Sequence, residues 1–96
     1  MGIQRLSDQE LAQGVGKLSG WQVEQGKLRK SFEFRDFVHA FGFMSQVALV
    51  AESMGHHPEW MNVWNKVVVD LSTHSIGGIS RLDLELASKI QELADK

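Results

Sequence analysis

KSFEFRDFVHAFGFMSQVALVAESMGHHPEW, Lys30 to Trp60, changes its hydrophobic period twice, and those changes decide the fold. It opens on an alternation: Ser31 and Glu33 are polar, Phe32 and Phe34 apolar, the period of a half-buried strand. At Arg35-Asp36 the alternation stops, and from about Phe37 to Met54 the apolar residues recur at helical spacing. Asp36 is placed to cap the helix N-terminus and Gly55 to end it in a left-handed conformation. Pro58 then fixes its own φ and drives His57 toward extended backbone, so the helix cannot continue. The two adjacent imidazoles should therefore point in different directions.

The helix is apolar on more than one side. At about 100° per residue, Phe37, Phe41, Met44, Ala48 and Ala51 form one stripe, while Phe43, Val47, Val50 and Met54 form a second, roughly 110° away. One stripe covers a sheet. The other exceeds what a 96-residue chain needs to bury on one helix, which predicts a homo-oligomer contact through it. The alternative is a helix lodged in a deep groove of its own domain.

Upstream, "LSDQEL" carries a capping box, Ser7 with Glu10, flanked by Leu6 and Leu11 as a hydrophobic staple, and predicts a helix over about Ser7 to Leu18. Trp21 to Glu24 and Leu28 to Phe34 read as two strands joined by a tight turn at Gln25-Gly26. Downstream, "WMNVWNKVVVDLSTH" reads as two strands with a break at Asn65-Lys66, His74 falling at a strand's end and Trp60 and Trp64 sharing a strand face. "SIGGIS" is a turn in which glycine supplies positive φ. "SRLD" repeats the capping box with Ser80 and Asp83 ahead of a last helix whose apolar face is Leu82, Leu86, Ile90 and Leu93. The order is α-β-β-α-β-β-α, which implies an α+β fold: a four-stranded antiparallel sheet with three helices packed on one face, as a single domain over residues 1–96.

Composition narrows the function classes. A formal net charge of −2, with no basic run longer than "KLRK" (Lys27 to Lys30), gives no electrostatic footprint for nucleic acid or anionic membrane. There is no cysteine, hence no disulfide framework, zinc knuckle or thiol nucleophile. With 43% hydrophobic and 23% charged residues, and an N-terminus lacking a signal-peptide core, the chain is expected to be soluble and cytoplasmic, with no bilayer-spanning segment.

The residues that could do chemistry are His56, His57 and His74. A zinc site would want convergent ligands such as two histidines at helical i, i+4 spacing, a pair the sequence lacks, although a three-histidine site stays open. Proton transfer near neutral pH suits imidazole without a metal and fits a dehydration or tautomerisation. On the plainest view the pair is two solvated turn residues. Asp70 and Glu52 could orient an imidazole or simply be solvated, and Trp60 with Trp64 could stack on a planar ligand or serve as core.

Taken together, residues from about Gly20 to Ala94 closely resemble the pterin-4a-carbinolamine dehydratase family. Its signature is an acidic residue, three positions, H-H-P-x-W, then N-V-[YW]-N, one strand, a T-H pair, paired small residues and an acidic residue in the next helix. Glu52, His56-His57-Pro58, Trp60, Asn62-Val63, Asn65, Thr73-His74 and Asp83 fall in register. The resemblance implies loss of water from a 4a-hydroxytetrahydropterin to give the quinonoid dihydropterin, in tetrahydropterin recycling for aromatic amino acid hydroxylation. It implies no metal or cofactor, and a homodimer or homotetramer formed through the central helix and the sheet. On that pattern His56 and His74 are the acid/base groups and His57 positions the substrate; Glu52 orients a histidine or holds the pterin edge. Asp83 supports the site from the last helix, and Trp21, Ser72 and Thr73 line the pocket. His39 matches no catalytic position. Two departures stand out: Ser75 where an acidic residue is common, and Trp64 where tyrosine is common. A second expectation, from another class, is a non-catalytic binding or coactivator module of the same fold.

Overall fold

The computed structural model describes residues 2–96 and shows the predicted order of elements. Helix α1, Asp8–Gly16, starts on the predicted capping box: Ser7 Oγ accepts from Glu10 N at 3.1 Å and Glu10 Oε1 accepts from Ser7 N at 2.9 Å. It ends two residues earlier than expected because Lys17 N and Leu18 N donate to Gly14 O and Val15 O, tightening the last turn. Gly14 is a packing glycine; a Cβ there would lie 2.4 Å from Leu84 Cδ1.

Strands β1, Gln22–Glu24, and β2, Lys27–Glu33, form a hairpin whose turn residues both have positive φ, 52° at Gln25 and 76° at Gly26. Helix α2, Phe37–Met54, begins at Asp36, whose Oδ1 accepts from His39 N at 2.9 Å, and stops at Gly55 with φ of 64°. Strands β3, Glu59–Val63, and β4, Lys66–Leu71, make the second hairpin. Its turn is at Trp64-Asn65, one position ahead of the expected break. Asn65 is drawn out of the ladder to bond Phe34 in both directions, and the Asn62 side chain bridges the turn by donating to Trp64 O and Lys66 O. Trp64 therefore shares no strand face with Trp60: it sits in the turn, exposed, with φ of 50°. Helix α3, Arg81–Ala94, closes the chain.

The four strands lie antiparallel in the order β1-β2-β4-β3, with the helices against one face. Leu28, Phe32, Val67, Val69 and Leu71 point from the sheet into the core, where they meet Ala40, Phe43, Val47 and Ala51 of α2 and Leu86, Ala87 and Ile90 of α3. Phe32, Phe34 and Phe43 pack ring on ring, with centroids 4.7 to 5.1 Å from Phe43. The opposite sheet face is solvated and held by ion pairs, Arg29 with Asp70 and Lys27 with Glu59. Arg29 donates two hydrogen bonds to Asp70, which holds that carboxyl below the usual aspartate range.

On α2 the second stripe, Phe43 and Val47 with Val50 and Met54, is the one that turns inward, and the first stripe divides. Ala51 and Met44 join the core, while Phe37 and Phe41 are about half exposed and Val38 and Leu49 lie 75% and 74% exposed. The expectation that no segment suits a bilayer needs one correction: the 18 residues of α2 are long and apolar enough by composition, though its inward residues pack on the sheet.

Candidate functional site

Three short segments build the site: the end of α2, the loop after β4 and the first turn of α3. At the end of α2, Gly55 N donates to Glu52 O and His56 N to Ala51 O, both at 3.1 Å, a Schellman turn that requires the left-handed φ of Gly55. This turn aims His56 inward. Its imidazole is about nine-tenths buried, and Nε2 lies 2.6 Å from Asp83 Oδ1. His57 and Pro58 leave in the other direction, and the His57 ring stays exposed, with Nε2 2.9 Å from Glu52 Oε1. The two imidazoles diverge, as Pro58 led one to expect.

Asp83 sits at the third position of α3 and is completely buried. A carboxylate so placed must have every lone pair engaged. Oδ2 accepts from Ser80 N at 2.9 Å, the capping-box contact, and from Thr73 Oγ1 at 2.8 Å; Oδ1 faces His56. Since the Thr73 hydroxyl spends its proton on Asp83, the 2.7 Å contact between Thr73 and Ser80 is donated by Ser80 Oγ, which in turn accepts from Leu82 N. The chain of donors runs from Ser80 through Thr73 to Asp83. A carboxylate accepts only, so His56 Nε2 carries the proton and Nδ1 is the free nitrogen.

His74 does not end a strand. β4 stops at Leu71, and His74 opens a single 3-10 turn, His74–Ile76, with its ring exposed. Its position follows from Thr73, which is tied to Asp83 and bridged to Gly78, with Thr73 N donating to Gly78 O at 2.7 Å. His74 lines a cavity of about 350 Å3 together with Ser72, Gln25, Gly26, Lys27, Gly77 and Gly78. Thus His56 and His74 are linked through one buried unit: Thr73 precedes His74 in the chain, and its hydroxyl holds the carboxylate that holds His56.

The structure gathers the expected residues unequally. His56, Thr73 and Asp83 form the buried network, Ser72 and His74 share the cavity, and Glu52 pairs with His57 on the surface. Asp83 sits where a residue supporting the site from the last helix was expected, whereas Thr73, expected to line the pocket, has its side chain bonded to Asp83 and Ser80 beside His56. Trp21 stands apart. Only 3% exposed, it packs edge-on to Phe32 and donates Nε1 to Gln91 Oε1 at 3.1 Å, so it belongs to the core and not to the cavity of His74. Ser80 was legible only as a helix cap, and Lys27 and the Gly77-Gly78 pair as cavity lining were not anticipated. Among the described residues, no group of three or more His, Cys, Asp or Glu side chains is disposed to hold a metal ion.

Comparison with known proteins agrees in sequence and in shape. The family model for pterin 4 alpha carbinolamine dehydratase matches residues 4–93, and so takes in α1 as well as the span from Gly20 onward. A protein of Solibacter usitatus, provisionally named pterin-4-alpha-carbinolamine dehydratase, is 49% identical over 90 residues, covering 94% of this chain and 95% of its own length. One from a Jannaschia species with the same provisional name is 50% identical over 95 residues, covering 95% and 97%. Among solved structures, a transcriptional coactivator/pterin dehydratase from Brucella melitensis superimposes with a TM-score of 0.91 at 45% identity, over 95% of this chain and 99% of that one. The chain belongs to the pterin 4 alpha carbinolamine dehydratase family.

Proposed function

We propose that this chain catalyses the loss of water from a 4a-hydroxytetrahydropterin to give the quinonoid dihydropterin, by histidine acid/base chemistry without a metal. In the reaction the C4a–O bond breaks, the departing hydroxyl takes a proton and leaves as water, and N5 gives up its proton as the C=N bond forms. One proton is delivered and one removed, so two groups that exchange protons near neutral pH suffice. His56, through Nδ1, and His74 take these parts, and His57 with Glu52 guides the substrate at the surface. Ser72 lines the cavity beside His74.

The observation that carries this reading is the 2.6 Å contact of buried Asp83 with His56 Nε2. A buried carboxylate behind an imidazole fixes its tautomer and stabilises the cation it forms on taking a proton, which a merely structural turn histidine does not need. The test is the absorbance decay of freshly generated 4a-hydroxytetrahydropterin with and without protein, in the presence of a strong chelator. Acceleration supports the reading; no acceleration by folded protein removes it.

A second reading, protein binding, draws on the exposed apolar face of α2 and on the coactivator named in the Brucella melitensis neighbour. On the same face we place a homodimer or homotetramer contact, since Phe37, Val38, Phe41 and Leu49 lie together on the outer side of one helix. The two readings are compatible for His56, which is buried beside Asp83, whereas His57 pairs with Glu52 on the outer side of α2 and would lie at the edge of such a contact. The dehydration would serve tetrahydropterin regeneration in the cytoplasm, its quinonoid product being the form that is reduced again.

A further inference from the structure

We propose that Arg5 is a positioning residue for His74, acting through the glycine loop that carries it; the catalytic consequence rests on the dehydratase reading above. The three histidines differ in what holds them. His56 is held by Asp83 and His57 by Glu52, but no group among the described residues hydrogen-bonds the His74 ring. Its direction is therefore set by its backbone, a 3-10 turn of three residues ending at Gly77, where φ is 61°. A turn that short is weakly self-supporting. Within it Ile76 N donates to Thr73 O and Gly77 N to His74 O, both at 3.2 Å, and the loop is closed at its base by the Thr73–Gly78 bridge, with Thr73 N donating to Gly78 O at 2.7 Å; the carbonyls of Ile76 and Gly77 at its tip are not held by that bridge.

A further restraint, on the tip of the loop, comes from 71 and 72 residues away in the chain. Arg5 Nη2 donates to Gly77 O at 2.8 Å and to Ile76 O at 3.2 Å, and the next residue's Leu6 N donates to Ile79 O at 3.0 Å, so the tip and the C-terminal side of the loop are fastened to the N-terminal segment. The loop's second glycine fits this clamp. Gly77 needs its positive φ, whereas Gly78 does not adopt one; what a Cβ at Gly78 would meet is Arg5, with Nε at 2.6 Å and Cζ at 3.1 Å. Glycine at 78 makes room for the guanidinium. A charged nitrogen donating to two carbonyl oxygens is a strong restraint for an exposed loop, and lysine has no planar guanidinium to lie against Gly78.

The test follows the His74 Cε1–H resonance and the steady-state kinetics in two variants that reach the clamp from opposite sides, Arg5→Ala and Gly78→Ala. In both, the His74 resonance should shift or broaden while that of His56 stays in place, and kcat should fall about tenfold with KM changed less than about threefold. Ethylguanidinium, the piece that Arg5→Ala removes, should restore resonance and kcat at millimolar concentration; Arg5→Lys should recover little. An unmoved His74 resonance in both variants overturns the proposal. So does a joint shift of His56 and His74 that ethylguanidinium does not reverse, since that marks general loss of structure. A wild-type protein without dehydratase activity would sink the functional reading alone, and the resonances would still decide the clamp.

Discussion

Asp83 and Thr73 share a hydrogen bond of 2.8 Å inside the protein, and through it the residue before His74 and the partner of His56 become one unit. A capping box was legible in "SRLD", but its acidic member does more than cap: the same carboxylate accepts from its own N-cap backbone, from β4's extension and from the imidazole at the end of α2.

Asp83→Asn tests the carboxylate directly. The amide keeps the shape but presents either a donor or a neutral acceptor to His56 Nε2, so the fixed tautomer and the stabilised imidazolium are lost. Turnover should fall by about a hundredfold or more. Urea denaturation run beside the assay should show that the folded fraction is unchanged at assay conditions.

Thr73→Val removes the hydroxyl at constant volume and leaves the Ser80 hydroxyl proton and one Asp83 lone pair unpartnered in a buried site. Stability should drop by about 1–3 kcal/mol, read from denaturant midpoints at constant m.

Gly55→Ala forces a Cβ into the left-handed region at φ of 64°, where nothing crowds it, so the cost is conformational. A loss of about 1–2 kcal/mol is expected from the backbone alone, with a further loss of activity because the same turn aims His56.

Acid stability should depend on Asp70. Two hydrogen bonds from Arg29 hold its carboxyl below the ordinary value of 3.8, so between that value and the folded one the unfolded chain binds more protons. The stabilisation is complete above the ordinary value and is lost as pH falls through the depressed one. Asp70→Asn should flatten the stability profile in that acid window by less than about 1 kcal/mol, because Arg29 is partly exposed and solvent screens the pair. Denaturation midpoints at a series of acid pH values would show it.

Much of the architecture was legible because local chemistry and global fold agree. The alternation at Phe32 and Phe34, the cap at Asp36, the stop at Gly55 and the boxes at Ser7 and Ser80 each specify an element boundary without outside help. What was not legible depends on contacts distant in sequence. The turn moved to Trp64-Asn65 because Asn65 bonds Phe34 on another strand, and the inward stripe of α2 was decided by which side Phe32 and Val67 occupied. At the site, the histidines and their acidic partners were named from motif, Asp83 among them as a support from the last helix, but motif could not tell that Thr73 bonds Asp83 beside His56 or that Trp21 lies in the core beside Gln91. Nor could any spacing rule connect Arg5 to Gly77.

The central claim is that His56 and His74 are the proton-exchanging pair, and the measurement that meets it most directly is the first-order decay of 4a-hydroxytetrahydropterin with wild type, His56→Ala and His74→Ala at matched folded concentrations. Each variant should lose about a hundredfold or more of the catalysed rate while unfolding at nearly the wild-type denaturant midpoint if its imidazole transfers a proton. Wild-type acceleration by either variant would remove that histidine from the mechanism.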